Sequence, residues 1–360
     1  MELLDLEIKP LDEAAMSAAH ARQAQLAKPP GSLGRLEELS VQLAGIMGKV
    51  QSTIEKKHLL VFAADNGVVE EGVSSAPQSV TLQQTVNLTR AKTGASVLAK
   101  HFGCGTTVCD VGVNADIAEK AVLNRKIAYG TKNIAHGPAM TREQAMTAIR
   151  TGMELAQSTD ADVLGIGEMG IGNTTTSSAV LTVLLDADVE DVTGRGGGIT
   201  DESFRKKKDV IRRAIAVNHP DRSDVVDVLA KVGGFDIAAM CGAFLGAAAT
   251  QRPVVIDGFI SAVAALCAVR LCPNVRSYLI PSHASYEIGY RLAMDAMELQ
   301  PMLLLEMRLG EGSGCPLAFE ILSAACAVMN HMATFDQAGI NDDYLDEIRV
   351  GDKFTVEGKP

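Results

Sequence analysis

165-GIGEMGIGNTTTS-177 stands between the apolar stretch ADVL (161–164) and the apolar run AVLTVLL (179–185). Its first six residues satisfy G-x-G-x-x-G between a strand-like and a helix-like segment, the pattern that lays a pyrophosphate on a helix N-terminus. Two features argue against a dinucleotide. Glu168 falls inside the would-be cradle, where its carboxylate opposes a diphosphate. The acidic, glycine-rich DADVEDVTGRGGG (186–198) follows where a second strand ending in a ribose-binding acid belongs. The lysine of a P-loop is out of register as well. What remains is a run of glycines followed by Asn173, Thr174, Thr175 and Thr176 at a helix start, which suits one phosphate group. TGRGGG (193–198) offers further backbone N–H groups, with Lys207 one to two turns into the next helix. The pair reads as a seat for a monophosphate, although either loop alone is also explained by a tight turn.

Outward from that segment, short apolar runs recur at 58–65, 106–113, 161–167, 253–258 and 275–280, and each ends in a polar or Gly-containing loop. Helical stretches separate them, among them TREQAMTAIRTGMELAQ (141–157), whose Thr141 and Gln144 have capping-box spacing. The alternation predicts an α/β fold, a doubly wound, mainly parallel, Rossmann-like sheet spanning 58–284. Helical patterns at 10–27 and 34–50, broken by KPPGSLGRLE, and again from 285 onward, predict a small helical second domain made of 1–57 and 285–360. In such sheets ligands bind outside the carboxyl ends of the strands, which selects the loops at 64–78, 110–116, 165–177, 193–202, 256–259, 282–289 and 308–315.

Composition bounds the function. The 360 residues are 47% hydrophobic with 33 glycines and a net charge of −11, so the basic footprint of a nucleic-acid binder is missing. RKKK (205–208) spreads its charges around a helix and reads as a solvated face. No secretory signal and no apolar stretch long enough to span a bilayer are visible, which predicts a cytoplasmic protein with no membrane partner. Seven cysteines without a C-x-x-C pair and seven scattered histidines predict reduced thiols, no metal and no cofactor.

Eight ordered segments carry a more specific signal: KPPGSLGRLE (28–37), ADNGVVEEGVS (64–74), GIGEMGIGNTT (165–175), GRGGGITDE (194–202), GGFDIAAMCGA (233–243), VVIDGF (254–259), HASYEIG (283–289) and RLGEGSG (308–314). Together they resemble, over the full chain, the nicotinate-nucleotide:dimethylbenzimidazole phosphoribosyltransferase family. The resemblance implies transfer of phosphoribose from nicotinate mononucleotide to an aromatic base, with inversion at C1′ and release of nicotinate, in cobamide synthesis. It implies that Glu311 of the LGEG motif is the general base, with room for a flat ring beside Gly310 and Gly312, and Ser74 near the acceptor. It assigns phosphate contacts to Gly196, Gly198, Lys207 and Ser285; Asn173 and Thr174 join them on the physical argument above. Glu168 is the second acidic candidate, either steadying developing positive charge or closing the loop through a hydrogen bond.

His283, Glu287, Asp65 and Asp257 are further candidates with a bracing role as the alternative. The leaving pyridinium is already cationic, so the chemistry needs no metal-diphosphate clamp. Asn66, Gly197, Asp236 and Cys315-Pro316 depart from the family pattern and leave the acceptor open among benzimidazoles, purines and phenols. The family implies a homodimer, with a heterodimer as the alternative. Two rival readings stand beside it: a non-catalytic or co-catalytic subunit of a pair acting on phenols, and an NAD-dependent oxidoreductase.

Overall fold

The computed structural model describes residues 6–346, which form two compact units. The larger holds Glu55–Glu320 together with the described residues before Leu11. Its centre is a six-stranded, wholly parallel sheet of β1 (Lys57–Ala64), β2 (Gly105–Gly112), β3 (Val122–Asn124), β4 (Val163–Met169), β5 (Val254–Ile256) and β6 (Leu279–Pro281). The spatial order is β3-β2-β1-β4-β5-β6. The chain runs outward from β1 to β3 and then returns to place β4 on the other side of β1, so the switch point lies between β1 and β4. This is the doubly wound sheet expected from the alternation of elements.

Leu59 to Ala64 of β1 are fully buried, as are Leu164 and Ile166 of β4, as strands covered on both faces require. Helix Arg142–Ser158 starts at the capping box read from the sequence: Thr141 Oγ1 accepts from Gln144 N at 3.1 Å and Gln144 Oε1 accepts from Thr141 N at 2.9 Å. It lies against helix Phe235–Ala249 at backbone contact. A Cβ on Gly152 would come within 1.7 Å of Ala239 O, and one on Gly242 within 1.8 Å of Ile149 O. Small residues on both faces thus bring the two helices together and bury residues 235–248.

The second unit comprises Leu11–Ile54 and the described residues from Ile321 onward. Helices Glu13–Gln25 and Arg35–Met47 form the expected hairpin, and Ala19, Leu26, Val41, Ala44 and Met329 make its apolar cluster. In the KPPGSLGRLE turn, Lys28 and Glu37 form a buried ion pair at 2.7 Å, and Glu37 Oε1 also accepts from Leu33 N at 2.9 Å. The boundary differs from the one expected at 284/285. Residues 285–320, including the Glu311 loop, belong to the sheet unit, because β6 and the turns after it complete the carboxyl edge of the sheet. Among the described residues, no helix is long and apolar enough to cross a membrane.

Candidate active site

A cleft of about 270 Å³ opens within the sheet unit, at the carboxyl ends of β4 and β5. Segments that follow β1, β4, β5 and β6 line it, including Ser74, Glu168, Asn173, Thr174, Gly196, Asp257, Ser285 and Glu311. The place agrees with the general position of ligand sites in doubly wound sheets, outside the carboxyl ends of the strands.

Glu311 sits on a turn of unusual backbone. Gly310, Glu311 and Gly312 have φ of 83°, 62° and 83°, so three successive residues are left-handed. The outer two are glycines, for which this is free, whereas Glu311 bears a side chain in a region that disfavours one. Such a turn persists only where its surroundings hold it. Two buried carboxylates do so: Glu168 Oε1 accepts from Glu311 N at 3.2 Å, and Asp257 accepts from Gly312 N at 2.9 Å and Gly314 N at 2.7 Å. Asp257 lies 3.9 Å from His283 Nδ1, which also pairs with Ser282 Oγ at 2.9 Å. Burial pushes the Asp257 carboxyl upward, against the pull of His283 and of these N–H bonds.

β4 supplies the floor of this turn. A Cβ on Gly167 would stand 2.6 Å from both Glu311 O and Gly312 N, and one on Gly165 would stand 2.5 Å from Cys315 Cβ. Gly165 and Gly167 therefore lie in a buried strand and admit the Glu311 turn and the helix after it, which corrects their reading as a loop around a phosphate. Glu168 is a strand residue for the same reason.

The Glu311 side chain is nearly buried, and desolvation pushes its pKa upward. Ala95 N donates to Glu311 Oε2 at 3.3 Å and acts in the opposite direction, as does the Thr93 hydroxyl. Glu168 is buried to the same degree. Desolvation raises it from 4.5 to about 8, over the opposing bond from Asn173 and with reinforcement from the charge of Asp236. Asp236 is raised to about 6 by burial, again against Asn173. The Asn173 amide bridges the two, donating to Glu168 Oε2 and, at 2.9 Å, to Asp236 Oδ2. Its expected role as a phosphate donor is thereby corrected, since its side-chain hydrogens are committed to the carboxylates.

The second glycine loop is also engaged. Gly198 N closes a turn on Arg195 O at 3.1 Å, so it is not the free donor anticipated from TGRGGG. Burial raises Glu287, while Lys207 and the Gly196 N–H counter it. Lys207 Nζ donates to Thr174 Oγ1 at 2.9 Å and Gly194 O at 3.0 Å, tying the two glycine-rich segments together. Burial lowers this lysine to about 8, partly offset by Glu287.

Ser74, Glu168, Asn173, Thr174, Gly196, Ser285, Gly310 and Glu311 thus come together around one cleft. Lys207 is buried behind Thr174, and Gly198 borders a neighbouring hollow instead. Gly312 faces inward, where an added Cβ would meet Leu59 Cδ1 at 2.5 Å, and so does not form an acceptor wall. Sequence reasoning missed the contact of Ala95 with Glu311. The spacing of Thr93 and Ser96 was a legible helix-start signal, but nothing in it points to a partner 216 residues away.

A phosphoribosyltransferase family model matches residues 8–340. The chain belongs to this family. Within it, the chain is 49% identical over 346 residues to nicotinate-nucleotide--dimethylbenzimidazole phosphoribosyltransferase of Clostridium tetani, covering 95% of this chain and 96% of that protein. It is 52% identical over 336 residues to the like-named protein of Ruminiclostridium cellulolyticum, covering 92% and 96%. The crystal structure of nicotinate-nucleotide-dimethylbenzimidazole phosphoribosyltransferase from Thermus thermophilus superposes with a TM-score of 0.87 at 39% identity, over 92% of this chain and 99% of that one. Family membership and the parallel sheet agree with the resemblance carried by the eight motifs, and the oxidoreductase reading is set aside.

Proposed function

We propose that this family member transfers the phosphoribosyl group of nicotinate mononucleotide to 5,6-dimethylbenzimidazole or a related aromatic base. The observation that carries the reading is the Glu311 carboxylate, held at the cleft by a left-handed turn that two buried carboxylates pin from behind. The acceptor's unprotonated ring nitrogen attacks C1′ of the nucleotide while the proton on its other ring nitrogen passes to Glu311. The bond from C1′ to the nicotinate nitrogen breaks, and its electron pair neutralises the pyridinium. Attack from the face opposite the leaving group inverts C1′, and Glu311 then releases its proton to water.

General-base assistance of this kind is worth ~10² to 10⁴-fold. It requires Glu311 to be ionised, which the N–H of Ala95 and the hydroxyl of Thr93 favour against burial. Glu168 carries out the bracing alternative considered for it: it positions Glu311 through the backbone N–H. Thr174 and Ser285 offer hydroxyls to the phosphate, and Lys207 supplies positive charge from behind Thr174. Ser74 and Leu309 flank the acceptor side.

The test is release of nicotinate by the purified chain from nicotinate mononucleotide, with 5,6-dimethylbenzimidazole, adenine or a phenol as acceptor. Turnover with a benzimidazole and no added subunit supports the reading. Turnover only after adding a second, unlike subunit would favour the pair model, and no release with any acceptor would overturn the assignment.

A further inference from the structure

Among the described residues, His283 is the one histidine that lines the cleft, and its ring is almost wholly buried. Backbone bonds on both sides fix its place: Leu303 N donates to Ser282 O at 3.0 Å, and Ala284 N donates to Leu303 O at 2.8 Å. The Nδ1 edge of the ring packs toward the segment after Glu311, where a Cβ on Gly314 would collide with both Nδ1 and Ser282 Oγ. The Nε2 edge lies beside Gly258 and Ser285, which both line the cleft. A Cβ on Gly258 would stand 3.7 Å from Nε2 and 3.6 Å from Ser285 Oγ.

Hydrogen-bond accounting assigns the proton of the neutral ring. Ser282 Oγ lies 3.3 Å from Asp257 O, a carbonyl that can only accept, so the Ser282 hydrogen points there. A lone pair of Ser282 Oγ then faces His283 Nδ1 at 2.9 Å, and Nδ1 carries the N–H. The Asp257 carboxylate, 3.9 Å from the same nitrogen, favours a hydrogen on that edge as well. Nε2 is left as an acceptor, and no hydrogen bond among the described residues reaches it.

We propose that His283 is a nucleotide-binding residue: Nε2 accepts a hydrogen bond from a ribose hydroxyl of nicotinate mononucleotide, and Ser282 with Asp257 holds the tautomer that leaves this lone pair at the cleft. The inference rests on the phosphoribosyl transfer proposed above. A lone pair repels phosphate oxygens but takes a hydroxyl hydrogen. The neighbouring Ser285 hydroxyl can donate, which suits the phosphate. One nucleotide thus spans the two, with its phosphate at Ser285 and its sugar at His283.

Two variants separate binding from bracing. In His283→Asn the amide falls near the place of Nδ1 and can still donate to Ser282, but nothing reaches the place of Nε2. In His283→Gln the amide reaches the place of Nε2 with a carbonyl acceptor and gives up the bond to Ser282. The readout is kcat/KM for nicotinate release, with 5,6-dimethylbenzimidazole as acceptor, from nicotinate mononucleotide and from its 2′-deoxy and 3′-deoxy forms. With the ribonucleotide, the Asn variant is expected to lose about five- to tenfold, the size of one neutral hydrogen bond, and the Gln variant less than about threefold. The penalty for one of the two deoxy forms should be smaller in the Asn variant than in the parent by that same factor. The comparison between enzymes cancels the effect of a missing hydroxyl on the reactivity of C1′ itself.

A bracing role alone predicts the reverse ranking, with Gln impaired more than Asn, and deoxy penalties of equal size in parent and Asn variant. Either result overturns the proposal. Should the variants fail to fold, imidazole nitrogen NMR of the parent decides. An unprotonated Nε2 resonance that shifts with nicotinate mononucleotide, and not with the deoxy form lacking its partner, supports the contact; no such shift overturns it. A parent that releases no nicotinate removes the functional reading itself, whereas an active parent with the bracing pattern removes only the present inference.

Discussion

Gly167→Ala perturbs the packing of the Glu311 turn on the sheet without touching a polar side chain. The added Cβ would stand 2.6 Å from Glu311 O and Gly312 N and 2.7 Å from Glu311 C, all backbone atoms that no rotamer change can move away. Ordinary contact begins at 3.4 Å, so the turn must retreat by about 0.8 Å, the difference between 3.4 and 2.6 Å. A retreat of that size stretches the 3.2 Å bond from Glu311 N to Glu168 beyond hydrogen-bond range. A displacement of ~1 Å of a reacting group can cost ~10²-fold, so kcat for nicotinate release should fall by about that factor. KM for nicotinate mononucleotide should stay within about threefold of the parent, because its phosphate is held elsewhere. Overpacking of ~1 to 3 kcal/mol should also lower Tm by a few degrees. Gly137→Ala is the control, since an added Cβ there meets nothing within 4 Å. A Gly167→Ala enzyme with kcat within threefold of the parent and unchanged Tm would refute the argument that β4 seats the base.

Two further outcomes follow from the buried charges. Glu168 binds its proton more tightly in the folded chain, at about 8 against 4.5, so the stability it contributes is complete below pH ~4.5 and is lost as pH rises through ~8. Thermal unfolding followed from pH 5 to 9 should show a falling Tm whose slope flattens in Glu168→Gln; an identical slope in the variant would contradict the assignment. Lys207→Met removes the charge behind Thr174 and the tie to Gly194. Bonds to charged groups are worth ~1.5 to 3 kcal/mol, so KM for nicotinate mononucleotide should rise by about 10- to 100-fold with little change for the aromatic acceptor; an unchanged KM would remove Lys207 from the phosphate site.

The legible parts of the fold were those with local causes. Four of the strands, β1, β2, β4 and β5, coincide with apolar runs, and the start of helix Arg142–Ser158 follows from a cap that two nearby residues build alone. β3 was not anticipated because it is three residues long at the sheet edge and only Val122 is buried. β6 lies further along than the run at 275–280 suggested. Val275 and Tyr278 are buried from a 3₁₀ turn, Pro273–Tyr278, and burial alone does not separate a turn from a strand.

The site shows the same division. Glu311 was visible through its motif, the family pattern pointed to Ser285, and the helix start after the glycine run pointed to Thr174, both of which line the cleft. The meaning of Gly165 and Gly167 was not visible: a glycine leaves a space, and what fills it is decided by residues 311–319, some 145 positions away. Asn173 likewise looked like a phosphate donor because its partners Glu168 and Asp236 converge on it only once β4 and helix Phe235–Ala249 are in place.

The central claim is that a single carboxylate at Glu311 removes the acceptor's proton. Initial rates of nicotinate release by Glu311→Gln, with nicotinate mononucleotide and 5,6-dimethylbenzimidazole both saturating, test it most directly. A fall of ~10² to 10⁴-fold with KM for the nucleotide preserved is the predicted result. A variant that turns over within a factor of three of the parent would contradict it.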